Sequence, residues 1–466
     1  MSRYAALCLA PRRSPSLSRR RSWPMSAKTT VVRNVRIIDP ASGQDIEPTP
    51  QGGLIAQRGM IREIGPTALA HGTPDDAVVI DGDGLILAPG LVDMRVTVGE
   101  PGLAHKETLV TASKAAAAGG VTSMACLPTT DPVIADAAGL EFIARRAREL
   151  RSTKFYAYAA ATRDLAGEDL TEYGLLALAG AVGFTDGGKA IADAGVMRRA
   201  LSYAHQFNRL VIQHPEEPSL AKDGQMNGGE TATRLGLKGI PRLAEVMMIE
   251  RDLRLVEMTG ARYHVAHIST SEAVDAIRQA KARGLPVSCD TAPHYFSLTE
   301  MDVVDYRTFA KVSPPLRRDE DREAIVAGLA DGTIDAIASD HMPEDVDSKR
   351  LPFAQAATGV IGVETLISIA LNLYHQEQIG LMELLGTMTT KPAQLLGLQA
   401  GQLRAGAAAD FIILDPNHAW RIDAAQLHSK SKNSAFDGRP VLGRVEKTII
   451  DGRLVFDRSA ALKAVA

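Results

Sequence analysis

From Thr30 onward the chain sets short apolar runs between Gly, Pro and Asp. VVRNVRIID, GLIAQRGMIREIG and VVIDGDGLILAPG each have this form, which predicts the strands of a small antiparallel sheet. GQLRAGAAADFIILD and VEKTIIDGRLVFD repeat it near the other end. The two terminal segments, residues 29–87 and 399–460, are therefore expected to complete one small β-sandwich domain. Between them, over residues 88–398, buried strand-like runs alternate with amphipathic helical stretches, the pattern of parallel βα units. Eight runs stand out: LVDMRVTV, VTSMACLP, KFYAYAAAT, AVGFTD, RLVIQHP, RYHVAHIS, PVSCDTAPH and DAIASDHMP. Each is followed by helical patterning such as Lys106 to Ala118 or Ser271 to Arg283, and eight such units predict an α/β fold, a (β/α)8 TIM barrel.

Polar residues interrupt these runs at telling places. Asp186, His214, His267, His294 and Asp340 fall at the carboxyl ends of separate predicted strands, the face where barrels carry their active sites. A single such His reads as an ordinary hydrogen-bonded core residue, whereas five aligned Asp and His residues on different strands read as a site.

Composition narrows the partners. With 466 residues, 45% hydrophobic and 23% charged, the chain can bury a large core, and a net charge of -3 offers no basic field for nucleic acid or an anionic membrane. Small molecules or other proteins are the expected partners. Cys8, Cys126 and Cys289 are odd in number and widely spaced, which fits a reducing cytoplasm rather than a disulfide scaffold, and no apolar run is long enough to span a bilayer. Residues 1–28, with Arg12, Arg13, Arg19, Arg20 and Arg21 among serines and prolines, read as a disordered tail or transit peptide, or as sequence ahead of a start at Met25. On each reading they lie outside the fold.

APGLVD, EPGLAHKETL, AAAAGGVT, GFTDGG, HISTSEAV, SPPLRRDEDREAI, DGTIDAIASDHMP and ATGVIGVETL together resemble the bacterial dihydroorotases of the amidohydrolase superfamily, from about Val31 to Phe456. Hydantoinases and allantoinases share the architecture, but the EPG, PPLR and DGTIDAIASDH stretches are more similar to dihydroorotase. The resemblance implies reversible ring closure of carbamoyl aspartate at a zinc-bearing barrel mouth. There zinc acts as a Lewis acid and lowers the pKa of bound water from about 15.7 to about 7.

The resemblance also exposes gaps. Where the family has an HxH pair of metal ligands on the first strand, this chain has Arg95 and Thr97. A guanidinium has no lone pair to donate and repels a metal, and a threonine is a poor neutral ligand. The family's arginine for the substrate carboxylate is Gly99 here, and the asparagine of its second-strand motif is Thr129; Ser313 replaces the asparagine usual before PPLR. The remaining counterparts are Asp186, His214, His267 and Asp340 as metal ligands, Asp340 also as catalytic proton shuttle, and His294 as a substrate-binding histidine. They would hold one zinc ion at most, and none if the site is fully dismantled.

Three losses together point to a catalytically inactive, dihydroorotase-like protein of pyrimidine biosynthesis, similar to the non-catalytic homologues that associate with aspartate transcarbamoylase. Homo-oligomers are common in that family. The alternative is a residual dihydroorotase working through a one-metal site; a third reading is a barrel that binds some other ligand, with Lys189 read as a surface residue. In the inactive case Arg95 is predicted to form an ion pair with Asp340 or Asp186 in place of the metal.

Overall fold

The computed structural model describes residues 29–460. The expectations for residues 1–28, Cys8 among them, lie outside these residues. All eight predicted barrel strands are present: Leu91–Val96, Val121–Cys126, Lys154–Ala157, Gly183–Thr185, Leu210–Gln213, Tyr263–Val265, Val287–Thr291 and Ala336–Ile337. The first three pair in parallel, as do the last five. Parallel bridges from Ala159 to Phe184 and from Val96 to His341 close the ring. Except for Lys154–Ala157, which alternates, the strands are short and buried on both faces, so they appear in sequence as mainly apolar runs.

Local signals fix where the intervening helices begin and end. Helix Leu109–Gly119 starts at Thr108, whose side chain accepts from the backbone of Thr111 while the Thr111 hydroxyl answers the backbone of Thr108. It stops at Gly120, where φ is 81°, a conformation glycine adopts freely. Helix Ser271–Ala282 is capped by Thr270 and helix Ala194–His205 by Asp193.

The small domain consists of two sheets. One has six strands, in the order Arg453–Asp457, Pro440–Ile450, Phe411–Arg421, Ile86–Pro89, Arg36–Asp39 and Gln44–Ile46; the other has four, in the order Met60–Gly65, Gly53–Gln57, Thr30–Arg33 and Val78–Asp81. The prediction of an antiparallel sheet is corrected here. Arg36–Asp39 runs parallel to Ile86–Pro89, and Thr30–Arg33 parallel to Val78–Asp81, because four strands rather than a tight turn separate the partners of each pair. Phe411 and Ile413 face the core shared by the two sheets, with Val32, Leu54 and Leu87. Ile412 and Leu414, on the opposite face of the same strand, join the barrel core. A strand with two buried faces thus mounts the small domain on the barrel.

Candidate functional site

The five polar residues expected at the barrel mouth all lie at carboxyl ends of strands and are buried. Two of them leave their strands in the left-handed region, His267 at φ 39° and Asp340 at φ 48°, which costs energy for non-glycine residues and clusters at functional sites. The strain at His267 is held by Asp290: its Oδ1 accepts from the His267 backbone N–H at 2.6 Å. Its Oδ2 lies 2.9 Å from His264 Nε2, and His264 Nδ1 lies 2.8 Å from Ser288 Oγ.

The ion pair predicted for Arg95 is formed with Asp340, not with Asp186. Arg95 Nε donates to Asp340 Oδ1 at 2.7 Å and Nη2 donates to the Gly187 carbonyl at 3.2 Å, in a side chain only 2% exposed. The other oxygen of Asp340 lies 3.1 Å from His267 Nδ1 and 3.8 Å from His294 Nε2. His267 Nε2 in turn lies 2.8 Å from His214 Nδ1. A carboxylate only accepts, so His267 Nδ1 carries a proton, Nε2 accepts, and His214 Nδ1 donates. His214 Nε2 in turn lies 3.5 Å from Ser313 Oγ and 3.8 Å from Glu216 Oε1.

Burial opposes ionisation of Asp340, yet the facing His267 and Arg95 outweigh it and hold the carboxyl far below the usual range. Burial, reinforced by the Arg95 charge, lowers His267 to about 4. Burial likewise lowers His294 to about 4, so both rings are neutral near pH 7.

Asp186 does not join this cluster. Its carboxylate accepts from the Thr162 backbone N–H at 2.8 Å and from the Thr162 hydroxyl, and burial raises its pKa. Of the four residues carried over as metal ligands, His214, His267 and Asp340 therefore bond one another while Asp186 bonds Thr162, and among the described residues no three His, Cys, Asp or Glu side chains are arranged to hold a metal ion. The ring nitrogens of His214 and His267 bond each other, both oxygens of Asp340 face protein donors, and a guanidinium sits at one of them. As arranged, these residues do not fit the zinc ion that the sequence resemblance implied.

The substrate positions have changed as well. A Cβ on Gly99 would lie 2.2 Å from the Leu103 carbonyl oxygen and 2.4 Å from that of Glu107, so the loop backbone has closed over the place where an arginine would leave the chain. The Thr129 methyl lies where a Cβ on Gly187 would meet it at 2.4 Å. Lys189 is exposed. Sequence reasoning missed Asp93, which accepts from the backbones of Arg95 and Ser339, and the His264–Asp290 pair beneath His267. Their signal was a charged residue inside an otherwise apolar run, in LVDMRV, YHV and VSCDT.

The family description "Dihydro-orotase-like" matches residues 84–273 and "Amidohydrolase family" matches residues 250–456. A dihydroorotase of Geotalea daltonii is 46% identical over 92% of this chain and 99% of its own length. One of Ehrlichia canis is 41% identical over 94% and 98% respectively. In structure, the L-hydantoinase (dihydropyrimidinase) of Arthrobacter aurescens superposes with a TM-score of 0.81 at 25% identity, covering 92% of this chain and 96% of that one. A dihydropyrimidinase of Brevibacillus agri, at 22% identity and a TM-score of 0.80, shares the fold. With the barrel, its sandwich and these relatives all agreeing along nearly the whole length, this chain belongs to the dihydroorotase family of amidohydrolases.

Proposed function

We propose that the protein serves pyrimidine biosynthesis as a dihydroorotase-family barrel that does not itself turn over a cyclic amide. The observation that carries this reading is the buried Arg95–Asp340 pair, which gives the residue expected to shuttle protons a permanent cationic partner. The closed backbone at Gly99 supports it, since a bidentate grip on a substrate carboxylate has no counterpart there. What such a barrel retains is its shape, and the partner proposed for it is the catalytic chain of aspartate transcarbamoylase, in a mixed assembly or alongside self-association. A cytoplasmic location accords with Cys126 and Cys289, both buried and unbridged. Among the described residues no helix is long and apolar enough to cross a membrane.

The second reading is dihydroorotase turnover, and the names of the relatives support it better than they support the first. Purified protein assayed in both directions, with and without added zinc, separates the two. Absence of turnover is expected; turnover abolished by His267→Ala would establish the second reading. Co-expression with aspartate transcarbamoylase followed by gel filtration tests the partnership, and separate elution counts against it.

A further inference from the structure

Three buried groups meet at the Asp340 carboxylate, and only Arg95 among them carries a fixed positive charge. His267 Nδ1 and His294 Nε2 both face Oδ2, and His294 Nε2 has no hydrogen-bond partner. Arg95 extends from the first barrel strand and reaches both the Gly187 carbonyl beyond the fourth strand and Asp340 beyond the eighth. One guanidinium thus neutralises a buried carboxylate and ties three strand ends together. In a barrel mouth those are the tasks of a bound divalent cation.

We propose that Arg95 is a built-in cation which performs both tasks, so that the fold is complete without a metal, and that Asp340, His267 and His294 become a divalent-cation site only when Arg95 is removed. This rests on the non-catalytic reading of the mouth. Two like charges a few ångströms apart in a poorly screened interior repel strongly, so a metal and the guanidinium cannot share Asp340. Deleting the guanidinium leaves an uncompensated buried carboxylate, the costly half of a broken ion pair. Beside it stand His294, whose Nε2 has no partner, and His267, whose Nδ1 lone pair is freed when the ring proton moves to Nε2 and His214 Nδ1 accepts it; with Asp340 they make a ligand set for Zn²⁺ or Co²⁺ in number and kind.

The test compares the wild-type chain with Arg95→Ala, which opens space, and Arg95→Met, which keeps bulk without charge. Melting temperature is read with chelator, with Co²⁺ and with methylguanidinium, and Co²⁺ binding is followed by visible absorption. The wild type should respond to none of these. Arg95→Ala should melt several degrees lower, recover in part with Co²⁺ or methylguanidinium, and acquire a cobalt absorption band. Adding Asp340→Asn to Arg95→Met should restore most of the lost stability, which a purely packing role for Arg95 would not produce. Unchanged melting of Arg95→Ala, or a loss that neither cation recovers, overturns the proposal. Chelator-sensitive melting of the wild type overturns both the proposal and the non-catalytic reading. Wild-type turnover of dihydroorotate with chelator-insensitive melting sinks the non-catalytic reading alone and leaves Arg95 as the internal cation.

Discussion

At position 99 the carbonyls of Leu103 and Glu107 occupy the space a side chain would take, so restoring the family's arginine there should not restore a substrate grip. Gly99→Arg is expected to destabilise the fold by about 1–3 kcal/mol or more through overpacking against backbone, read as a lowered denaturation midpoint. A gain in stability would show that the loop can reopen. Asp290→Ala should cost roughly 3 kcal/mol, because it strips the acceptor from both His264 Nε2 and the His267 backbone N–H at a buried position. Which residues stand at the mouth was legible in the sequence, since a polar residue at the end of an apolar run has a definite place on a barrel. Where each carboxylate turns was not. Asp186 bonds Thr162, a residue from the preceding unit, and Ser313, noted in sequence only as a departure from the family, lies beside His214. Contacts between separate units leave no trace in local periodicity.

The barrel's elements were legible because each carries its own boundary signals, and the same signals predict their energetics. Thr108→Ala removes the cap of the helix that follows the first strand and should cost about 1 kcal/mol, measurable by chemical denaturation. The segment after Asp340, His341 to Phe353, was less legible: its sequence reads equally as a mobile loop covering a pocket or as an ordinary connector. It holds a short helix, Val346–Arg350, and is stapled from beneath by two buried lysines. Lys311 Nζ donates to the carbonyls of Phe353 and Ala356 at 2.7 and 2.8 Å, and Lys349 Nζ donates to those of Thr308 and Ala357 at 3.0 and 2.8 Å. Burial lowers Lys349 to about 7, with Glu344 opposing and the Lys311 charge assisting. Between pH 7 and the ordinary lysine range the unfolded chain therefore binds more protons than the folded one, and stability contributed at this site rises with pH. The melting difference between wild type and Lys349→Met should shift in favour of the wild type from pH 7 to pH 10. A flat difference would mean that Lys349 keeps its charge.

On the scale of the molecule, the sandwich was legible as terminal strands that need partners, but their order was not, because pairing across the whole chain has no local signature. Phe411–Arg421 sits between Pro440–Ile450 and Ile86–Pro89, with one face in each core. Removing residues 440–466 should expose that strand and abolish a cooperative thermal transition; a cooperative melt of the truncated chain would count against the shared core. The arrangement also has a consequence in time. Strand Ile86–Pro89 emerges early in synthesis, but its neighbour Phe411–Arg421 follows only about three hundred residues later. One edge of the early strands stays unpaired until nearly all of the barrel has been made. The nascent chain thus passes through its longest aggregation-prone interval with the barrel largely assembled and the small domain still open, and chaperones that shield strand edges would act there.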